Sequence, residues 1–408
     1  MNSHWLRLLF TQHGLARGLN LEGPSPDGPR LAARVSARPV RRPALRRCAL
    51  LAATCATLLA PGLWADPTPE EIVGLMERAA DWQLAHPSKW KPLEWHNAAF
   101  YAGVMALAKD SASPRFHDAM MKLGADNRWQ LGARPYHADD HAVGQTYAEL
   151  FAQHRDPRMI APLRERFDAI LAQPKAGSLD FDQAKNPERT DRWSWCDALF
   201  MAPPAWVRLW QATGNQAYLD FAISQWWVTS DFLYDQAEHL YYRDSSYFGQ
   251  HEKNGRKVFW GRGNGWVMGG LVRVLRLLPA GHPARARLVQ QFHEMADKIV
   301  TCQQADGFWR ASLLDPAAFP MQETSGTGFY CYALAWGVNE GLLDRARFEP
   351  AVRRAWAALT SCLTPAGKLT HVQPVGATPV TFAAEWTEPY GVGAFLLAGS
   401  EVRRLGTP

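Results

Sequence analysis

The chain has 408 residues, of which 47% are hydrophobic and 20% charged, and its formal net charge is +5. This balance excludes a disordered chain. Residues 1–65 hold nine Arg and two acidic residues, so the remaining 343 residues carry 35 basic and 37 acidic side chains. The positive charge therefore belongs to the N-terminal segment and gives no argument for nucleic-acid binding. No apolar run reaches 18 residues, which argues against a membrane-spanning helix.

Residues 1–65 are predicted to be a leader that contains a signal peptide. A basic stretch at 36–47 precedes 13 mostly apolar residues at 48–60, and small or helix-breaking residues follow up to Ala65. This order is typical of a secretory signal, and 13 helical residues span only about 20 Å, which is too short for a bilayer. We expect export to the periplasm or the medium and a single folded domain at 66–408.

Helical periodicity dominates the chain after the leader and predicts twelve helices. They span residues 68–86, 94–109, 113–125, 137–154, 156–172, 193–213, 215–230, 263–278, 282–303, 324–340, 347–362 and 389–402. Residues 99–108 and 328–337 are apolar on nearly every face and belong inside, whereas 282–303 is amphipathic and belongs outside. The rough alternation predicts an all-α fold, an (α/α)6 barrel of six inner helices covered by six outer ones.

Strand signals are few and predict only short β-hairpins attached to the helical barrel. Residues 239–243 and 257–260 flank a polar turn and are predicted to pair as a hairpin, and 367–382 is predicted to form another. Four cysteines follow the leader without any Cys-x-x-Cys spacing, so neither a disulfide framework nor a zinc site is indicated. We expect buried thiols.

The first candidate site is the segment 134–147, where Asp139, Asp140 and His141 stand at a loop–helix junction. One Asp is expected to cap the helix by accepting backbone N–H bonds. A metal site built with His137 is the alternative. It is disfavoured because ligands so close in sequence do not easily converge on one ion.

The second candidate is Asp197, which lies among Trp193, Trp195 and Phe200. Apolar surroundings disfavour a charged carboxylate and raise its pKa, and a carboxyl group that stays protonated near neutral pH is suited to general acid catalysis. The alternative is a structural Asp paired with an Arg or a helix N-terminus. The pair Pro203-Pro204 is expected to interrupt the helix one turn later.

The third candidate is Arg262, in the segment WGRGNGW at 260–266. Glycines on both sides permit a tight turn, and an Arg there is predicted to clamp a carboxylate with two hydrogen bonds. The segment lacks the Lys-Ser/Thr of a phosphate loop. The alternative is a surface Arg beside an Asn cap.

Further aromatic and polar residues stand at helix starts or in loops, and together they would line one mouth of the barrel. They lie in the segments 90–103, 305–309, 321–330 and 371–376. The chain has 18 Trp and no Gly-x-Ser-x-Gly motif. Carboxylates, an Arg and aromatic walls fit an acidic sugar better than an ester or a nucleotide.

The motifs resemble those of glycoside hydrolase family 105, the unsaturated rhamnogalacturonyl hydrolases, which are relatives of the unsaturated glucuronyl hydrolases of family 88. They are WHNAAFYAGVMAL, ADDHAVGQTY, WSWCDALFM, WGRGNGW and ETSGTGFYCYALAWGVNEGLLD, in this order, and the resemblance covers about 68–402. It implies an (α/α)6 barrel. It also implies removal of a 4,5-unsaturated uronic acid from the non-reducing end of lyase-cleaved oligosaccharides.

The resemblance also implies a mechanism carried by two carboxyl groups. Asp197 matches the general acid/base, which protonates C4 of the double bond and activates the water that adds at C5. Asp140 matches the second carboxylate, which binds sugar hydroxyls and helps to keep Asp197 protonated. An offset of one residue would give Asp139 instead.

The remaining residues are expected to bind the sugar, and no metal or cofactor is implied. Arg262 would face the uronate carboxylate, and Trp266 and Trp195 would form walls around the ring. The other predicted contacts are His141, Trp95 and His96.

Four functions remain open on the sequence. A rhamnogalacturonan-derived substrate is favoured. Fragments of ulvan or a glycosaminoglycan are the alternative, although a sulfated substrate should require extra basic residues and the chain has only ten Lys. A non-catalytic glycan-binding barrel is disfavoured by the presence of both carboxylates, and a lyase or epimerase by the lack of an evident Tyr, His or Arg base. The expected partner is a small acidic oligosaccharide, and the oligomeric state is undetermined.

Overall fold

A computed structural model describes residues 67–406 of the chain. The predicted leader and its signal peptide lie outside these residues and stay predictions. Within residues 67–406, no helix is long and apolar enough to cross a membrane.

The described part is mostly helical, with long loops and few strands. Its α-helices are α1 (Pro69–Ala85), α2 (Trp95–Asp110), α3 (Arg115–Asp126), α4 (Ala138–His141), α5 (Gly144–His154), α6 (Ala161–Ala172), α7 (Ala198–Met201), α8 (Pro203–Thr213), α9 (Gln216–Leu233), α10 (Gly261–Leu275), α11 (Pro283–Cys302), α12 (Thr324–Asn339), α13 (Arg345–Ser361) and α14 (Pro389–Val402). Two short strands are β1 (Tyr234–Asp235) and β2 (Leu240–Tyr241).

Six helices form a closed inner ring. Helices α2, α5, α8, α10, α12 and α14 each pack against the next, and α14 packs back against α2. Helices α1, α3, α6, α9, α11 and α13 lie outside and cover this ring. The predicted (α/α)6 barrel is confirmed, together with the alternation of buried and amphipathic helices.

The inner helices pack at short range because small residues stand where they cross. A Cβ on Gly103 of α2 would lie 2.6 Å from the carbonyl oxygen of Gly393 on α14, and a Cβ on Gly393 would lie 2.3 Å from that of Ala99. Any larger residue at these two positions would push the helices apart. The apolar stretch predicted at 328–337 is buried throughout, as part of α12.

Two predicted helices are each broken in two, and both breaks lie near the candidate carboxylates. The predicted helix 137–154 consists of α4 and α5, and the predicted helix 193–213 begins only at Ala198. It is interrupted before Pro203, as expected, because proline has no N–H to donate. Asp197 therefore occupies the N-cap position of α7 rather than a helix interior.

The predicted hairpins are wrong. β2 pairs with β1, which directly follows α9, and not with 257–260. The side chain of Asp235 accepts N–H bonds from Ala237 and Glu238, and these bonds close the turn between β1 and β2. Within 367–382, the described chain forms a single bridge, between Leu369 and Leu363.

The inner helices all run in the same direction, so the barrel has an N-terminal end and a C-terminal end. The C-terminal halves of all six inner helices line one cavity of about 300 Å³. The loops that precede these helices collect at the opposite end, where helix N-termini carry a partial positive charge. All the candidate site residues belong to these loops or to the first turns that follow them.

Candidate active site

Asp197 is a nearly buried carboxyl group at the N-terminal end of the barrel. Its residue is 9% exposed, and its neighbours Trp195 and Cys196 are buried. Burial raises the pKa of Asp197 above its ordinary value, against the opposing charges of Arg243 and Arg262. The thiol of Cys196 donates to its Oδ2 at 3.5 Å. The direction of this pKa shift is the one that general acid catalysis requires.

Asp140 is held as an ion pair by Arg134. The Arg134 guanidinium donates to Oδ1 and Oδ2 of Asp140 at 2.7 and 3.1 Å, and the Arg134 backbone N–H donates to Oδ2 at 2.6 Å. Burial alone would raise the pKa of Asp140, but the Arg134 hydrogen bonds and charge lower it overall. A Cβ on Gly132 would lie 2.4 Å from the Asp140 carboxyl carbon, so only glycine fits against it. Asp140 therefore stabilises the loop before α4.

Asp139 has the opposite electrostatic environment. Burial, with the negative charges of Asp197 and Asp140, outweighs Arg134 and Arg243 and raises the pKa of Asp139 to about 7. Asp139 also lines a cavity of about 740 Å³, together with Trp95, His96 and the loop around Arg134. This cavity does not reach Asp197, but the charge of Asp197 acts on Asp139. The structure thus couples Asp197 to Asp139.

The two histidines of this segment contact protein groups only. His137 Nδ1 accepts the Asp139 N–H at 3.3 Å, and its ring lies 5.0 Å from that of Trp195. His141 is 1% exposed, with Nε2 bonded to the Pro135 carbonyl and Nδ1 to the indole of Trp206. Burial lowers the pKa of His137 to about 3 and that of His141 to about 4, so both are neutral. The predicted substrate contact of His141 is not supported by this geometry, because protein groups occupy both of its ring nitrogens.

Arg262 is completely buried and is hydrogen-bonded within the protein. Its Nη1 donates to the Gln373 carbonyl at 2.8 Å and its Nη2 to the Pro374 carbonyl at 2.9 Å. Its guanidinium also lies over the rings of Trp260 and Tyr390. Arg262 thus fixes the start of α10 to the 373–374 segment and acts on Asp197 through its charge. Its predicted contact with a uronate would require this segment to move.

The predicted aromatic residues form a continuous cluster at the N-terminal end. His96 lies between Trp90 and Trp95, with ring centroids 3.7 and 3.8 Å away, and neither of its ring nitrogens has a hydrogen-bond partner among the described residues. Trp95 reaches Trp266 at 5.9 Å. Burial lowers the pKa of His96 to about 3. Of the predicted Trp residues, only Trp95 is partly exposed, whereas Trp195 and Trp266 are buried.

Sequence reasoning missed Arg243, which is the closest cation to Asp197. Its Nε lies 3.7 Å from Asp197 Oδ2, and its Nη1 donates to Asp244 at 2.6 Å. The residue lies just after β2, in the segment assigned to a hairpin. The available signal was an adjacent Arg-Asp pair at the end of a strand, where binding residues often collect.

The four described cysteines are free and buried, as expected. Within residues 67–406, no group of three or more His, Cys, Asp or Glu side chains is arranged to hold a metal ion. The N-terminal end offers two carboxyl groups of raised pKa, the buried Asp197 and the half-buried Asp139, together with arginines and aromatic side chains. Paired carboxyl groups are the usual catalytic groups of enzymes that cleave glycosidic bonds, so this arrangement is compatible with a glycosidase.

Comparison with known proteins gives the family. The model of glycosyl hydrolase family 88 matches residues 69–406, and the chain belongs to this family. It is 38% identical to the unsaturated 3S-rhamnoglycuronyl hydrolase of Formosa agariphila, over 82% of this chain and 91% of that protein. It is 35% identical to the hydrolase of the same name from an Alteromonas species, over 80% and 84%.

A solved structure agrees with these relatives. It is a family 88 glycosyl hydrolase from Bacteroides vulgatus, which is 32% identical with a TM-score of 0.75 over 83% of this chain and all of that one. The predicted resemblance and the prediction of a glycosidase are both confirmed. The roles of individual residues stay predictions.

Proposed function

We propose that the protein removes a 4,5-unsaturated uronic acid from the non-reducing end of an oligosaccharide whose next sugar is rhamnose. The relatives support this proposal, because two proteins at 35% and 38% identity are named 3S-rhamnoglycuronyl hydrolases. That name favours the sulfated, ulvan-type alternative over the rhamnogalacturonan fragments that the sequence analysis preferred.

The single observation that carries the proposal is the buried carboxyl group of Asp197 among aromatic side chains. Its raised pKa favours the protonated form, which can donate to C4 of the double bond. The C4=C5 electron pair forms the new C4–H bond, and positive charge develops at C5 and on the ring oxygen. Water then adds at C5 and returns a proton to Asp197. The resulting hemiketal opens and releases the aglycone.

Asp139 suits the second carboxyl role better than Asp140. The Arg134 guanidinium and backbone N–H occupy the Asp140 carboxylate, whereas Asp139 lines the cavity and is electrostatically coupled to Asp197. When Asp139 is ionised, its negative charge favours the protonated form of Asp197. We therefore assign Asp139 to sugar binding and to the tuning of Asp197, and Asp140 to the support of the loop.

The cavity next to Asp139 also offers positive charge. Lys91 and Arg134 both line it, and Arg134 is engaged with Asp140. The ammonium group of Lys91 is exposed and has no ion-pair partner among the described side chains. We expect Lys91 to bind an anionic substituent on the aglycone. It would then be one of the additional basic residues that a sulfated substrate should require.

The test follows the absorbance of the double bond with unsaturated disaccharides that carry rhamnose, 3-sulfated rhamnose or a hexosamine. Loss of absorbance with the rhamnose compounds is expected, whereas a lyase would increase the absorbance of an uncut polymer. Asp197→Asn should lower kcat by about 10²–10⁴-fold. Asp139→Asn should impair activity, and Asp140→Asn should mainly lower stability. Full activity of Asp197→Asn would refute the mechanism.

A further inference from the structure

Arg243 has an unusual set of contacts for a partly buried cation. Its Nε lies 3.7 Å from Asp197 Oδ2, which is too far for a hydrogen bond. The same Nε is buried and has no hydrogen-bond partner within the described chain. A buried donor without a partner costs free energy, and such groups occur where a ligand completes the site. The guanidinium therefore has one N–H available next to the general acid.

Several contacts hold Arg243 in this place. Its Nη1 donates to Asp244, whose buried carboxylate also accepts the Ser246 N–H at 2.9 Å. Its guanidinium lies over the Phe181 ring at 4.7 Å. Its carbonyl oxygen accepts the Cys196 N–H at 2.8 Å, so the backbones before Asp197 and at Arg243 are joined. The cation cannot move away from the acid without breaking these contacts.

The other arginines of the site are less suited to receive an anion. Arg262 also has a buried Nε without a hydrogen-bond partner among the described residues, but it has no exposed surface, and two backbone carbonyls occupy its Nη atoms. Arg134 forms a two-pronged ion pair with Asp140. Arg243 differs from Arg262 because 17% of its side chain is exposed, and from Arg134 because its Nε has no hydrogen-bond partner in the described chain.

We propose that Arg243 binds the carboxylate of the unsaturated uronic acid, and that this contact releases Asp197 from its cationic neighbour so that Asp197 takes up the catalytic proton. This inference rests on the proposed function. In the free enzyme, the positive charge of Arg243 opposes protonation of Asp197. The single negative charge of a bound uronate offsets the charge of Arg243, and the loss of this positive field favours the acid form of Asp197. Substrate binding thus favours the protonated form of Asp197, which is the form that donates the proton.

The groups that act on Asp197 define the controls. Arg243 and Arg262 favour its carboxylate, the Cys196 thiol hydrogen-bonds to it, and Asp139 is coupled to it as a second acid. The pH dependence of Asp139→Asn must therefore be measured beside that of the Arg243 variants.

The experiment compares an unsaturated uronyl–rhamnose disaccharide with its uncharged methyl ester. The wild type should prefer the acid. Arg243→Gln should lower kcat/KM for the acid by about 30-fold or more, and should change that for the ester by much less. Arg243→Lys, which keeps the charge, should restore part of the preference. Arg158→Gln is the matched control, because Arg158 also pairs with a nearby Asp but is 84% exposed on the surface.

Equal losses of kcat/KM for the acid and the ester in both Arg243 variants would show a merely structural role and overturn the proposal. An unchanged preference for the acid would also overturn it.

The pH profiles test the release of Asp197. In the wild type, the acidic group should titrate higher in the kcat profile than in the kcat/KM profile, because these report the complex and the free enzyme. Equal values would overturn this half of the proposal, and Arg243→Gln should narrow the gap.

The failure of this inference is distinguishable from failure of the proposed function. An unchanged preference for the acid in Arg243→Gln would count only against the role of Arg243. Full activity of Asp197→Asn would refute the proposed chemistry itself. Binding to inactive Asp197→Asn, measured by calorimetry, gives a readout without turnover. There, a further Arg243→Gln exchange should weaken binding of the acid and spare the ester.

Discussion

The two ends of the barrel use charged residues in opposite ways. At the C-terminal end, the charged side chains that line the cavity are paired. Glu149 accepts from Arg208 and Arg273 at 2.8–2.9 Å, and Glu401 contacts both Arg276 and Arg404. These cations also complement the partial negative charge of the helix C-termini.

At the N-terminal end, buried polar groups are left unpaired. Both ring nitrogens of His96, the Nε of Arg243 and the indole N–H of Trp266 are buried without hydrogen bonds to described residues. The pKa values of Asp139 and Asp197 are raised, whereas that of Glu149 is far below its usual range because three cations outweigh its burial. The comparison shows that buried charges are paired at one end of the barrel, whereas buried polar groups at the other end are left unpaired by the described residues, which costs stability there.

Glu149→Ala should have the largest effect on stability. It leaves the buried guanidinium groups of Arg208 and Arg273 without their carboxylate, which typically costs about 3–5 kcal/mol. Chemical denaturation should show this decrease in the free energy of unfolding, while the folded variant keeps its kcat. Lys122→Ala, which breaks an exposed pair with Asp126, is the control and should change stability by less than about 1 kcal/mol.

The same network makes a prediction about pH. The pKa of Glu149 is lower in the folded than in the unfolded protein, so its contribution is present above about pH 4.3 and is lost as the pH falls below this value. The unfolding free energy of the wild type should therefore decrease in acid. This part of the acid dependence should be absent from Glu149→Ala, and its persistence would show that other carboxylates cause it.

The wild-type Asp139 should change stability with pH in the opposite direction, and Asp139→Asn should remove this change. The folded pKa of Asp139 is about 7, well above its unfolded value, so the wild type loses stability as the pH rises from about 4 to 7. The loss is at most about 4 kcal/mol, since one pKa unit corresponds to about 1.4 kcal/mol. Denaturation at pH 5 and pH 8 should show a smaller difference for Asp139→Asn than for the wild type. Exposed Asp126→Asn is the control, and an unchanged difference would contradict the raised pKa.

The smallest expected effect concerns Lys91. Because this side chain is exposed at the cavity, its charge should contribute about 0.2–1 kcal/mol to binding of an anionic aglycone, equivalent to no more than about 5-fold in KM. Lys91→Gln should raise KM for a disaccharide with 3-sulfated rhamnose and leave that for the unsulfated compound unchanged. Equal changes for both compounds would remove Lys91 from the aglycone site.

The fold was predictable because helical periodicity is a local property. The apolar stretches of α2 and α12 and the amphipathic pattern of α11 specify which helices lie inside, and twelve such segments predict a double ring. The interruption before Pro203 was also predictable, since the missing N–H is a property of the residue itself. The hairpins were wrong because strand pairing depends on a partner segment, and the side chain of Asp235 favoured the closer one.

The site was predictable only in part. Sequence motifs singled out Asp197, the 139–140 pair and the aromatic residues, and the structure brings these residues together at one end of the barrel. They did not show that Arg134 would pair with Asp140, that Arg262 would bind two backbone carbonyls, or that Arg243 would lie beside Asp197. Each of these contacts depends on which side chains come together after folding.

The sequence by itself determined the helical barrel, the family and the presence of an acid in apolar surroundings, because these depend on residue type and local pattern. The tertiary structure alone decided which carboxylate is neutralised and which arginine remains available. A pKa or a free hydrogen-bond donor depends on charges and burial a few ångströms away, and at this site those neighbours come from distant parts of the chain.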